Sequence, residues 1–318
     1  MVVEFTKING FTVQKNNPTY ISINSRLSVP ADSLTIVFRY NGEYTDYKYV
    51  KVIYDEKIIF KGVVDSQKIT VNKKGEYLSV YCRSLAGCLL DNQLQPQNIQ
   101  GITDNVIYNS YLKPFNISIN KLTNKPCSQI INIGKGISVY ELLCEYSSRV
   151  FNCQPRITPQ GIAILNGNVG GVNYSFTNGV SNLNENSYYC TFMDIEHNRY
   201  GVISQVYVKN NLNDTGYRLI LENKEAKQRG IECKRYLDAT PSSEFCIYDG
   251  TRIIDDSNKQ SINIKVICPC FVYNPVGGTA KVSSGNNVYE NMEIYSANHI
   301  FSKSGVSTIL KMKKKGEG

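Results

Sequence analysis

Residues 49–65 read YVKVIYDEKIIFKGVVD, and this stretch contains the pattern that decides the fold. Tyr49–Tyr54 and Ile58–Val64 are runs of β-branched and aromatic residues, the composition that strands prefer. Asp55–Lys57 lies between them and has the polar composition of a turn. The stretch therefore predicts two neighbouring antiparallel strands joined by a short turn.

The same pattern continues on both sides of this pair. Further short strands are predicted at Phe11–Val13, Tyr20–Ile23, Ser33–Tyr40, Gln67–Val71 and Tyr77–Cys82. Turn residues such as Asn16–Pro18 separate them, and a helix-like segment, Ser84–Asp91, ends the series. Short strands at this spacing predict an antiparallel barrel or sandwich over residues 1–94.

Residues 95–168 predict a small α+β domain. Ser138 and Glu141 have the spacing of a capping box, which places the start of a helix at Ser138. The apolar positions that follow at helical spacing are Val139, Leu142, Leu143, Tyr146 and Val150. Thr103–Leu112 is a second predicted helix, expected to stop before Pro114.

Residues 169–318 predict a second β domain. Its strands are expected at Tyr188–Met193, Gly201–Val208, Ile262–Cys268, Val288–Tyr295 and Val306–Met312. Lys224–Leu237 predicts a helical insertion near residues 222–238, weakened by Gly230. The chain thus predicts a mainly β fold with an α+β insert between two β domains.

Composition restricts the classes of function. The 318 residues are 42% hydrophobic and 19% charged, which is typical of a globular chain. With 23 Tyr and no Trp, the sequence favours strands and a large buried interface. The net charge is +8, but Lys and Arg are spread along the chain, so no nucleic-acid binding is predicted. The one dense basic run, Lys311 with Lys313–Lys315, is expected to be a solvated, frayed end.

The sequence contains neither an apolar run of roughly 20 residues that could span a bilayer nor a secretory signal. Folding in the cytosol is therefore expected, with reduced cysteines. The ten Cys contain no C-x-x-C pair, and we expect them to be small buried hydrophobic residues. Cys268 and Cys270 are the nearest pair, but no second ligand pair follows them.

No catalytic residue, metal site or cofactor site is predicted. The two histidines, His197 and His299, lie in polar stretches that are typical of turns or loops. Asp194 and Glu196 beside His197 leave open an acid–base or metal site, although a turn is favoured. A carboxylate pair for glycan cleavage also stays open, with candidates Asp65, Asp91, Asp194, Glu196, Asp255 and Asp256.

Motifs for nucleotide binding and serine hydrolysis are absent from the sequence. Gly134-Lys135-Gly136 precedes the helix predicted at Ser138, where an anion could bind the helix N-terminus. A loop that leads into a capped helix explains the same residues without a ligand.

Four segments, taken in order, resemble a known family. Val50–Asp65 resembles the strand, turn, apolar strand and G-x-V-D segment of phage-type tail baseplate hub proteins. Leu78–Asp91 resembles the strand of that family that ends in Arg and continues into a helix with an Asp. The capped helix from Ser138 and the last strand, Gly305–Met312, are similar to later modules. The chain differs at Val206–Lys209, where the family has Arg at the last position, and in its many Cys.

This resemblance, to hubs of Mu-like phages, prophages and contractile bacteriocins, implies two tube-like antiparallel β-barrel domains. It implies a non-enzymatic homotrimer whose pseudo-sixfold ring connects the tail tube to a trimeric spike, beside other baseplate proteins. The subunit would assemble in the cytoplasm and become part of a released virion or tail-like particle. Contacts are expected around Tyr40, Tyr49, Tyr54, Tyr81 and Tyr207. The alternatives are a tail-associated peptidoglycan hydrolase and a carbohydrate-binding β module.

Overall fold

The computed structural model describes residues 1–40, 42–167, 172–179, 185–209, 215–238 and 246–316, with no side chains described for residues 246–248. Strands account for 48% and helices for 16% of the chain, which confirms the predicted mainly β fold. The chain forms two compact units. Unit 1 contains Met1–Val172, Cys268–Gly278 and Ser296–Ile309, and unit 2 contains Asn173–Ile267, Thr279–Tyr295 and Leu310–Gly318.

Unit 1 contains a sheet of seven early strands. They are β1 (Val2–Lys7), β2 (Thr12–Asn16), β3 (Tyr20–Arg26), β4 (Ser33–Arg39), β5 (Tyr47–Tyr54), β6 (Lys57–Asn72) and β7 (Gly75–Ser84). Their order is β3-β4-β7-β6-β5-β1-β2, with every neighbouring pair antiparallel. A late segment, Ser296–Ser302, pairs with β3 on its other side. The β2 strand is therefore the last strand of this sheet in the described part of the chain.

The hairpin predicted from residues 49–65 is confirmed. Tyr54 pairs with Lys57 across a two-residue turn of Asp55 and Glu56, whose φ values are +49° and +60°. Left-handed conformations at both positions match the twist of the flanking strands. Because Gly62 carries no side chain, β6 can approach β7: a Cβ at this position would lie 2.1 Å from the carbonyl oxygen of Arg83.

Strands β1, β4, β5 and β7 of this sheet bury alternate residues, as the period of two requires. Phe5 lies in this core, stacked on Tyr47 with ring centroids 4.5 Å apart and edge-on to Phe38 at 6.0 Å. Its other buried members include Ile21, Ile23, Leu34, Ile36, Val52, Phe60 and Val80.

A second core in unit 1 surrounds the predicted capped helix. The elements are α1 (Ala86–Asp91), β8 (Gln97–Ile99), α2 (Asp104–Ile107), β9 (Ser118–Ile119), β10 (Ile131–Ile133), α3 (Val139–Phe151), β11 (Arg156–Ile157) and β12 (Ile162–Ile164). Strand β8 pairs with β10, and β12 lies between β11 and β9. Helix α3 buries Val139, Leu142, Leu143 and Tyr146, which confirms the predicted apolar face. The Tyr146 hydroxyl donates to the carbonyl of Lys125 at 2.7 Å and accepts from the amide of Asp104 at 3.0 Å.

The helix predicted at Thr103–Leu112 is only partly α-helical. After α2 the helix widens to a π-helix at Tyr108–Leu112 and then narrows to a 3-10 helix at Lys113–Phe115. Helical structure therefore continues past Pro114, where we had expected it to stop. Proline is tolerated there because it occupies the first turn of a new helical segment.

Unit 2 contains strands and two helices. They are β13 (Asn173–Thr177), β14 (Ser187–Tyr189), β15 (Phe192–His197), β16 (Gln205–Val208), β17 (Leu219–Glu222), α4 (Lys224–Gln228), β18 (Lys234–Leu237), α5 (Cys246–Lys259), β19 (Ile262–Cys268) and β20 (Thr279–Ser284). The last two strands, β21 (Asn287–Ser302) and β22 (Gly305–Lys314), have residues in both units. Strand β13 pairs in parallel with β14 and β20, and β16 pairs in parallel with β18. Unit 2 therefore contains mixed sheets, whereas the sequence predicts antiparallel ones.

The helix predicted over Lys224–Leu237 is wrong in its second half. Helix α4 ends at Gln228, and Gly230 adopts a φ of +65°, which a helix cannot contain. The chain then forms β18, parallel to β16. Helix α5 was not predicted; it packs on the small β17-β16-β18 sheet through Gly250, whose added Cβ would lie 2.5 Å from Leu221.

The basic run near residue 311 is not a frayed end up to Lys314. Strand β22 continues to that residue, and Lys313 pairs with Glu293 at 3.3 Å while Lys314 pairs with Glu225. The amide of Lys315 donates to the carbonyl of Asn291 at 3.0 Å. No helix in the described part of the chain is long and apolar enough to cross a membrane.

Candidate functional site

The residues that carry the family resemblance meet at one charged cluster in unit 1. Arg83 at the end of β7 donates to Asp65 at 2.8 and 2.9 Å and to Asp91 at 2.7 and 3.1 Å. Asp65 lies where the register of β6 shifts, because Val64 and Ser66 pair with consecutive residues of β7 and leave Asp65 unpaired. Such an extra residue redirects its side chain, here toward Arg83. We call Asp65, Arg83 and Asp91 the arginine anchor.

The arginine anchor is electrostatically satisfied. The hydrogen bonds that Arg83 donates to Asp65 and Asp91 raise the pKa of Arg83 and lower the pKa of Asp91. Gly87 of α1 lets the helix approach, since a Cβ there would lie 3.3 Å from the Arg83 side chain. The anchor holds the helix against β6 and β7, and its carboxylates accept hydrogen bonds instead of facing each other as an acid–base pair.

A second arginine and aspartate lie buried in unit 1. Asp32 and Arg156 are 4.0 Å apart at their nearest charged atoms, with side chains 2% and 10% exposed. Neither carboxylate oxygen of Asp32 has a hydrogen-bond partner within the protein. Burial raises the pKa of Asp32 to about 6 and lowers the pKa of Arg156. Nothing in the sequence indicates this pair, because Asp32 follows Pro30 in a segment with turn composition.

The two histidines lie on strands, so the predicted turn and loop are wrong. His197 ends β15, where its Nε2 lies 3.0 Å from the hydroxyl of Tyr289. His299 is buried in β21, with its ring centroid 4.6 Å from that of Phe271 and Nδ1 3.1 Å from the Thr308 hydroxyl. Burial lowers the pKa of His299 to about 3, so this ring stays neutral.

Both errors arise because successive side chains of a strand alternate between its two faces. Residues of β15 and β21 that read as polar loops face outward on every second position, and their neighbours face inward. In β21 the inward positions include Ala297, His299 and Phe301.

The other candidate carboxylates lie on two elements of unit 2, strand β15 and helix α5. Asp194 and Glu196 lie on β15 opposite Lys265 and Asn263 of β19. Asp256 pairs with Lys259 at 2.7 Å within α5, and Asp255 lies on the same helix beside a cleft of unit 2. Among residues that the structure describes, no three His, Cys, Asp or Glu side chains are grouped as a metal would require.

The start of α3 is a capped helix, as the sequence favoured. Ser138 Oγ accepts from the amide of Glu141 at 3.2 Å, and the Glu141 carboxylate accepts from the amide of Ser138 at 2.6 Å. The Glu141 carboxylate thus supplies the negative charge at this terminus, which favours the cap over the anion site at Gly134–Gly136.

The cysteines are distributed between buried and partly buried positions, and no disulfide is formed among the nine described. Cys82, Cys127, Cys190 and Cys268 are buried, as expected of small hydrophobic residues, and Cys270 is partly buried. Burial raises the pKa of Cys88, Cys144 and Cys153, which disfavours their thiolate forms.

Of the five tyrosines expected at contacts, Tyr81 is the most open, at 43% exposed. Tyr54 packs against Phe271 and Phe301, and Tyr207 stacks on Tyr236. Tyr40 and Tyr49 are partly buried on the sheet of unit 1. Hydrophobic side chains with a larger exposed fraction lie elsewhere, above all Ile8, Phe11 and Tyr200.

No protein-family model and no curated protein matches this chain. Solved structures do match this chain in fold. The 43 kDa tail protein of prophage MuSo2 from Shewanella oneidensis superposes with a TM-score of 0.71 at 14% identity, over 98% of this chain and 96% of that chain. The tail protein from Neisseria meningitidis MC58 gives 0.67 at 16% identity, over 99% and 96%.

A third structure is the c3393 protein of E. coli, a type VI secretion component with structural similarity to the T4 tail proteins gp27 and gp5. It gives a TM-score of 0.53 at 9% identity, over 95% of this chain and 74% of that chain. Similarity at this identity concerns the fold. The chain has the fold of phage tail proteins.

Proposed function

We propose that this chain is a structural baseplate hub subunit of a phage tail or a tail-like contractile particle. In this proposal three copies form a ring that adapts the sixfold tail tube to the threefold spike. The observation that carries it is the match to two solved tail proteins over at least 96% of both chains. The fold shared with the E. coli protein, which is itself similar to the T4 tail proteins gp27 and gp5, supports a place within a tail assembly.

The open strands of the sheets support assembly. Both β2 in unit 1 and β15 in unit 2 end their sheets in the described part of the chain. Unpaired strand edges favour association, and a closed ring supplies a partner for each one. Exposed Ile8 and Phe11 beside β2 add apolar area of the kind that interfaces bury.

A structural role without catalysis agrees with the polar groups of the chain. The carboxylates of Asp65 and Asp91 hold Arg83, and the buried His299 is neutral. A general acid or base needs a proton that can be exchanged near neutral pH at an accessible position. His299 is neutral and buried, and Asp32, whose pKa burial raises to about 6, is only 2% exposed.

The mass of the purified protein in solution tests the ring. Light scattering over a concentration series should give three times 35.8 kDa at high concentration. Electron micrographs of that species should show a threefold ring with an open centre. A protein that stays monomeric at every concentration, with or without the spike and tube proteins of its own particle, would contradict the proposal.

A further inference from the structure

Strand β2 presents unused backbone hydrogen-bonding groups. The amide of Lys7 donates to the carbonyl of Phe11 at 2.9 Å, which fixes the alternation of the β1–β2 ladder. Antiparallel partners alternate between bonded and non-bonded pairs, so the amides and carbonyls of Thr12, Gln14 and Asn16 point away from β1. No strand in the described residues pairs with that side.

Two apolar side chains adjoin this edge. Ile8 and Phe11, at the turn between β1 and β2, are 70% and 72% exposed. An open strand edge recognises an extended strand through its backbone, and side chains beside it add specificity. The edge of β2 is therefore suited to a β-strand as its ligand.

Strand β15 of unit 2 has a free edge of matching length. The amide of Asn198 donates to the carbonyl of Ser261 at 2.9 Å, so the backbone groups of Met193, Ile195 and His197 point away from β19. No described strand pairs with that side either.

The two edges differ in charge. Strand β2 carries Lys15, a net charge of +1. Strand β15 carries Asp194 and Glu196, a net charge of −2, and both are exposed. Opposite charges on paired strands stabilise, whereas like charges destabilise.

The remaining end strand of the large sheet fits less well. Strand β14 is three uncharged residues long, against five in β2 and six in β15. Pairing of β2 with β2 would bring two basic edges together and would create a twofold dimer, whereas a ring of three needs two different surfaces on each copy.

We infer that β2 of one copy pairs with β15 of the next copy, and that three such junctions close the ring. This inference rests on the proposed function for the number of copies. The strands themselves are assigned from their free backbone groups, their lengths and their charge.

Proline substitution at the outward amide of Gln14 tests the β2 edge. Gln14→Pro removes one intermolecular donor and adds a ring on the contact side, while the β1–β2 hydrogen bonds remain. We expect trimerisation to weaken about 100-fold in dissociation constant relative to Gln14→Ala. The alanine variant is the matched control, because both variants lose the hydrogen bond of the Gln14 side chain to Glu4.

A mixing experiment tests both edges together. Ile195→Pro blocks the edge of β15, with Ile195→Ala as its control for lost packing. Each proline variant alone should be monomeric, but each keeps the edge that the other has lost. An equimolar mixture should therefore form a species of twice 35.8 kDa and no larger ring.

Charge reversal gives an independent readout if a proline variant does not fold, as judged by circular dichroism. Glu196→Lys should weaken association by about fivefold at low salt, and Glu232→Lys, an exposed acid outside the edge, should leave it unchanged.

The outcomes separate this inference from the ring itself. A wild-type trimer that Gln14→Pro and Glu196→Lys leave intact would overturn the β2–β15 pairing and leave the ring standing. A wild-type oligomer other than a trimer that both variants dissociate would retain the edges and overturn the ring. A wild-type monomer would overturn both.

Discussion

Unit 1 contains two arginine–aspartate arrangements that differ in almost every respect. Arg83 lies near the surface and donates four hydrogen bonds to two carboxylates. Arg156 is buried, 4.0 Å from a single carboxylate, and the carboxylate oxygens of Asp32 have no partner at hydrogen-bond geometry within the protein. The pKa of Asp32 is raised despite its partner, because the loss of hydration exceeds the attraction. Hydrogen-bond geometry, more than proximity or burial, decides whether such a pair stabilises the fold.

Removing the buried cation should have the largest effect. Arg156→Met leaves Asp32 buried without a counter-charge, and we expect a loss of about 4 kcal/mol in the free energy of unfolding at pH 8. Urea denaturation measures it. The loss should shrink at pH 5, where Asp32 is protonated. Arg39→Met, an exposed arginine on β4, is the control; equal losses from the two variants would refute the distinction.

The pH dependence of the free energy of unfolding should report the titration of the same carboxyl group. The pKa of Asp32 is about 6 in the folded protein, above its ordinary value of 3.8, so the folded state binds more protons between these values. Stability should therefore fall as the pH rises from 4 to 6, by at most roughly 3 kcal/mol from this group. Asp32→Asn should remove that slope. Carboxylates with lowered pKa contribute equally to both proteins, so the difference between the two stability curves isolates Asp32. Parallel curves would disprove the raised pKa of Asp32.

Breaking the arginine anchor should cost less. Arg83→Ala removes charge-assisted hydrogen bonds but leaves Asp65 and Asp91 close to water, so we expect a loss of about 2 kcal/mol. Arg149→Ala breaks an exposed pair with Glu145 on α3 and a hydrogen bond to the carbonyl of Ile130, and should cost about 1 kcal/mol. Thermal unfolding of the two variants compares them. If Arg83→Ala were as mild as Arg149→Ala, the anchor would be an ordinary surface ion pair.

The arginine anchor was within reach of the sequence, and the buried pair was not. Asp65, Arg83 and Asp91 lie in ordered segments whose strand and helix patterns could be predicted. The family resemblance assigned each of the three residues to a motif. Asp32 and Arg156 come together only through tertiary packing of segments more than 120 residues apart, a distance over which periodicity carries no information. Local signals such as the Asp55–Glu56 turn and the Ser138 cap could be predicted because each is settled within four residues.

Long strands and polar helices were harder to predict. His299 lies in a run of Ser, Ala and Asn, whose small polar residues resemble a loop until the pairing with β3 shows which face is inward. Helix α5 has few apolar residues, and it becomes stable by packing on a small sheet of which the sequence predicts only the central strand, β16.

The late strand of unit 1 has a consequence for the timing of synthesis. Ser22 on β3 bonds to Asn298 on β21, 276 positions further along the chain. At a translation rate of about 10 residues per second, β3 waits roughly half a minute on the ribosome before its neighbour emerges. During that interval β3 has an uncovered edge of the kind that favours aggregation. Chains released early, before β21 has been made, should be recovered as aggregates and not as shortened subunits.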